Sequence, residues 1–221
     1  MLRLAFILTL CLALSLVTAQ LFLTPLYLEF EYEFSGFPRA QTITSDQRYI
    51  AAQAFLSYLN VELGGATYQA LSELQFGAQL FFNEDDMACI LRAKEVRGGT
   101  FSLTFIMGVA AIALALFMAV GDFDGTRRMV MGSAAVIIIV CTALSVLVRL
   151  AFPSIAPLLL AWFASHDCVP AQAHGLAQLF PSAFFRDALV FIALLVRAEA
   201  LLIIVIGWLV SWVLQRGRAR R

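Results

Sequence analysis

Apolar residues in this chain collect in four stretches long enough to cross a bilayer: Leu4 to Leu23, Phe101 to Val120, Met129 to Leu147, and a fourth within Ala188 to Leu214. A helix rises about 1.5 Å per residue, so about 20 apolar residues match the hydrocarbon thickness, and lipid offers no partner to a bare backbone group. Helices that satisfy their own backbone are therefore expected at all four. The composition agrees, since 62% of the 221 residues are hydrophobic and 14% charged, against about 45–50% and about 25% in soluble domains. The expected fold is all-α: an integral membrane four-helix bundle with a mostly helical extracytoplasmic domain between spans 1 and 2. Its expected parts are a first span (1–23), that helical domain (24–99), a transmembrane hairpin of spans 2 and 3 (100–151), a second extracytoplasmic loop (152–187), a fourth span (188–215) and a basic cytoplasmic tail (216–221).

Short flanks on the cytoplasmic side of a membrane protein keep Lys and Arg. Arg3, the Arg127-Arg128 turn and Arg216, Arg218, Arg220 and Arg221 all fall on one side of the predicted spans. The rule makes that side the cytoplasm and the protein a multi-pass protein of the cell membrane with both termini inside. Arg39, Arg48, Arg92, Lys94 and Arg97 lie on the other side, in a segment too long for the rule to count. Val17-Thr18-Ala19 before Gln20 resembles a signal cleavage site, but apolar character continues through Leu21, Phe22, Leu23 and Leu26, which suits a retained anchor. Formal net charge is zero, with acids and bases interspersed, so no nucleic-acid partner is expected. The four cysteines show no C-x-x-C and no zinc-finger spacing with His166 and His174, so neither a metal nor a cofactor is expected.

Between the first two spans, Glu29, Glu31 and Glu33 alternate with Phe30, Tyr32 and Phe34, which predicts a short strand or extended arm. Ser45 or Asp46 then caps a helix with Tyr49, Ala52, Leu56 and Leu59 on one face. A second helix is predicted from Ala66 to Leu80. A third starts at Asn83, with Glu84, Asp85 and Asp86 in its first turn and Arg92, Lys94 and Arg97 in its last, an arrangement that complements the helix dipole. Gly98-Gly99 is expected to hinge it into span 2. Ala111, Ala115 and Ala119 form a small-residue ridge for close helix approach. Leu158 to Phe163 is too short to cross and is expected in the interface or re-entrant against the bundle. Arg197 and Glu199 fall in the fourth apolar stretch; Glu199 could pair with Arg149 at the outer ends of two spans.

Several of these residues resemble a known family. Leu179-Phe180-Pro181-Ser182-Ala183-Phe184-Phe185 is similar to a Leu-Phe-Pro-x-x-Phe-Phe motif before the fourth span, Arg48-Tyr49 through Tyr58-Leu59 to a helix ending in Tyr-Leu, and Phe81-Phe82-Asn83-Glu84 to the lead-in of an acid-x-x-His-Met-x-Asp-Val-Lys motif before the second. Together with the four-span layout they resemble the bacterial integral membrane family that includes the lipoprotein intramolecular transacylase. The resemblance implies acyl transfer from the lipid-modified cysteine of a lipoprotein to its own amino terminus, with a membrane lipid or lipoprotein as partner.

Carried onto this chain, the family's acid falls at Asp86 and its lysine at Lys94, while Cys89 stands in place of the histidine and Arg92 in place of the aspartate. His166 and His174 are candidates for further family positions in the second loop. The candidate catalytic residues are thus Asp86, Cys89, His166 and His174. Acyl transfer to an amine needs a base and a donor for the developing oxyanion, and with Cys89 in the histidine's place the activity is expected to be impaired. Cys89 and Cys168 both fall outside the spans, where a disulfide would persist; a bridge and two free thiols both remain open. The alternative function is a non-catalytic scaffold or lipid- or partner-binding protein.

Overall fold

The structure is a computed structural model describing residues 2–22, 24–33, 38, 43–60, 67–77, 79–163 and 174–219. Among the described residues four helices are long and apolar enough to cross a membrane: α1 (Leu2–Leu21), α5 (Glu84–Gly121), α6 (Phe123–Phe163) and α8 (Ser182–Ala219). The protein is an all-α membrane protein in that sense. At 38 residues, α5 is about 57 Å long by the helical rise, nearly twice the hydrocarbon core.

Three local expectations are corrected. The alternating segment is a helix, α2 (Pro25–Glu33), which buries Tyr27, Leu28 and Glu31. Proline suits a first helical turn, and Glu31 turns inward one turn after Tyr27, so alternation in sequence is not alternation in burial. The predicted Ala66–Leu80 helix stops early: α4 (Tyr68–Ser72) is followed by a hairpin of β1 (Gln75–Phe76) and β2 (Gln79–Leu80), paired antiparallel. Gly77 has φ 76°, a left-handed conformation open to glycine that a helix does not use. No hinge separates the outer helix from span 2, because α5 runs through Gly98 and Gly99. The segment Leu158–Phe163 is helical, as the last turns of α6, each further residue adding a hydrogen bond to a helix already nucleated.

Other local signals hold with small shifts. Helix α3 (Ser45–Leu59) is closed by a reciprocal capping box one residue earlier than expected, Thr44 accepting from the Gln47 amide and Gln47 from the Thr44 amide. The chain divides into two compact units: residues 1–19, 101–147 and 190–221, and residues 20–100 and 148–189. The first has a core of Ala134, Ile137, Cys141, Ala193, Val196 and Ala200, with Leu10, Cys11 and Leu14 packed against it. Here the Thr18 hydroxyl donates to Glu199 Oε1 at 3.2 Å. The second unit buries Leu28, Phe55, Leu56, Leu71, Phe82, Ile90 and Leu179 with their neighbours. Its short last helix, α7 (His174–Leu179), precedes the Pro181 turn into α8.

Candidate functional site

Asn83 and Asp86 close the start of α5 reciprocally. The Asp86 amide donates to Asn83 Oδ1 at 2.7 Å, and the Asn83 amide to Asp86 Oδ2 at 3.2 Å. The Asp86 side chain does more than cap its own helix. The amides of Gly175 and Leu176, in the first turn of α7, donate to its Oδ2 at 2.9 Å and Oδ1 at 3.1 Å. Asp86 is 0% exposed, so three backbone N–H groups replace the water its carboxylate gives up. Close approach is built in at Gly175, where a Cβ would lie 2.5 Å from the Phe81 carbonyl oxygen and 3.0 Å from Asp86 Oδ2.

Cys89 lies one turn further along α5, buried and disulfide-bonded. Cys11 and Cys141 are free thiols; Cys168, the candidate partner, lies outside the described residues, as does His166. His174 opens α7 next to Gly175. Asp86 and Cys89 thus lie within one turn near the start of α5, and the Asp86 carboxylate meets the backbone of α7 just after His174. Among the described residues no group of three His, Cys, Asp or Glu side chains is arranged to hold a metal ion.

A second set of contacts fixes the Leu-Phe-Pro segment. Arg48, buried on α3, donates from Nη1 to the Pro38 carbonyl at 2.6 Å and from Nη2 to the Leu179 carbonyl at 3.4 Å. The Tyr32 hydroxyl donates to that same Leu179 oxygen at 2.9 Å, and the guanidinium stands 4.9 Å from the Tyr32 ring centroid. Burial pushes the Tyr32 phenol up to about 12, against the opposing influence of Arg48. The aromatic residues of the segment form a run of ring contacts: Phe55 to Phe180 at 5.1 Å, Phe180 to Phe184 at 5.0 Å, and Phe184 to Tyr27 at 5.5 Å. Such tilted and edge-on pairs add to the area they bury.

Beside this run Glu31 is a buried carboxyl. Burial raises its proton affinity above the usual glutamate range; a hydrogen bond with Tyr27 opposes the shift, nearby Asp187 adds to it and Arg186 lowers it. The functional reading of the sequence passed over Tyr32, Glu31 and Gly175. A buried Arg48 was written only as a matched motif position, and the one visible sign of Gly175 is a glycine beside a candidate histidine.

No protein-family model and no curated protein matches the chain. Among solved structures it is similar to the membrane-integral lipoprotein intramolecular transacylase Lit from Bacillus cereus, with a TM-score of 0.71 and 15% sequence identity over 99% of this chain and 96% of that one. At that identity the likeness is one of fold.

Proposed function

We propose that this chain is a transacylase-like membrane protein that binds or moves the acyl chains of a lipid or lipoprotein at the outer face of the cell membrane, with histidine-based acyl transfer impaired. The observation that carries this reading is the shared fold with a lipoprotein intramolecular transacylase over 99% of the chain. The geometry around Asp86 supports the impairment. A general base has to reach the proton it removes, whereas Asp86 is fully buried and its carboxylate is turned onto three backbone amides. Cys89, in the disulfide, has no thiolate to act as nucleophile or base. These same contacts favour the second reading, a non-catalytic lipid- or lipoprotein-binding protein on the same scaffold.

The test is to express the full chain in bacterial cells lacking any other transacylase, then analyse lipoprotein amino termini by mass spectrometry alongside cross-linking with a photoreactive fatty acid. Cross-linking with an unchanged lipoprotein pool is the expected result and supports acyl binding without transfer. Appearance of the lyso-form, lost on Asp86→Asn, would instead establish transfer. Neither a cross-link nor a lyso-form would overturn acyl handling in both forms.

A further inference from the structure

Trp208, Trp212 and Arg216 follow one another on α8 at four-residue steps and so share one helix face. Both indoles are open, at 59% and 42% exposure, and Leu209 and Val213 continue the exposed apolar surface beside them at 46% and 60%. The Arg216 guanidinium carbon stands 3.5 Å from the Trp212 ring centroid, a cation–π contact that holds the side chain in place. Arg216 joins no ion pair among the described residues, while Arg127 of the same unit is engaged by Asp124 at 3.4 Å. Arginines follow at 218, 220 and 221, and no acidic residue occurs after Glu199.

The chemistry of this stripe selects its ligand. Tryptophans at the ends of a membrane helix sit at headgroup level, which places Arg216 in the phosphate layer. A molecule meeting this face needs apolar chains to lie along Leu209 and Val213 and an anion to reach the guanidinium fork, which matches phosphate oxygens in pairs. A zwitterionic phospholipid brings a cationic group toward an unbalanced set of arginines; an anionic one does not.

We propose that this end of α8 is a binding site for the headgroups of anionic phospholipids, built by Trp208, Trp212 and Arg216, with the positive charge of the arginines that follow in the sequence adding long-range attraction. The site stands apart from the acyl-handling reading and does not depend on it.

Native mass spectrometry of the full chain in detergent tests the site, with phosphatidylglycerol and phosphatidylcholine of identical acyl chains as probes and inorganic phosphate and glycerol 3-phosphate as soluble competitors. Phosphatidylglycerol should be retained in preference, with affinity falling about fivefold for each arginine changed to glutamine. Trp212→Leu should reduce the effect of Arg216→Gln, because the indole orders that arginine. Trp212 and Arg216 are exposed on α8, so variants at these two positions should unfold at the wild-type temperature. Equal retention of the two lipids, or undiminished phosphatidylglycerol binding by the fourfold arginine variant, would overturn the proposal. So would full displacement of the lipid by inorganic phosphate, which would mean that the chains contribute nothing.

Discussion

In the unit that contains Ala134, Val196 and Ala200, the buried core is made mostly of small side chains, and large apolar residues such as Phe117 and Val120 are 72% and 91% exposed. The other unit inverts this. It buries Phe55, Tyr58, Phe82 and Leu179 and, among them, Arg48, Glu31 and Asp86. The first pattern is the one that lipid selects, since lipid gives apolar side chains no reason to hide and association there depends on close approach of backbones across small residues. In water burial drives packing, and every polar group carried inside has to find a partner. Charge divides along the same line. The zero net charge hides eight basic against three acidic residues in the first unit and seven against twelve in the second.

The largest way to break this contrast is Asp86→Ala. It leaves the amides of Asn83, Gly175 and Leu176 without their acceptor, and thermal unfolding of the purified protein should show a loss of about 3 kcal/mol or more. A loss under 1 kcal/mol would mean that water satisfies those amides as well as the carboxylate does. In the small-residue core, Ala200→Leu should cost about 1–3 kcal/mol by overpacking, read in the same assay; a neutral result would show that the helices there are not in close contact.

A smaller effect should separate the units by pH. Because burial raises the proton affinity of Glu31 in the folded state, the folded form holds its proton more tightly than the unfolded one. The associated stability is present at and below the ordinary glutamate range and is lost as pH rises through the raised folded value. Unfolding temperatures of wild type should therefore fall over that window relative to Glu31→Gln, and parallel profiles would remove Glu31 as the source. Smallest of all, Val120→Ala on the exposed face should change stability by less than about 0.5 kcal/mol; a larger loss would mean that this residue is packed against something.

The two halves of the contrast were not equally legible. Spans are written locally, because twenty apolar residues leave few alternatives, and caps such as Thr44–Gln47 and Asn83–Asp86 lie within four residues of each other. What failed was any feature decided by a distant partner. Glu31 reads as an outward acid until Tyr27 and the start of α8 enclose it. Gly98 and Gly99 read as a hinge, yet neither would bring an added Cβ within 4 Å of anything, and helix continuity overrides their weak propensity. Asp86 was visible as a first-turn acid and as a motif match, but neither sign pointed to Gly175. The candidate residue His166 and the candidate bridge partner Cys168 lie outside the described residues.

The bond between Asp86 and Gly175 also bears on how the chain is put into a membrane. Its ends are separated by 89 residues, and between them lie the apolar lengths of α5 and α6. The two ends meet only if that intervening chain crosses the bilayer an even number of times. During synthesis this contact cannot form until α7 has been made, and α7, six residues long, is too short to persist without the acceptor that Asp86 supplies. A single failed insertion would strand the two on opposite faces, so formation of this one contact reports that the hairpin has been threaded correctly.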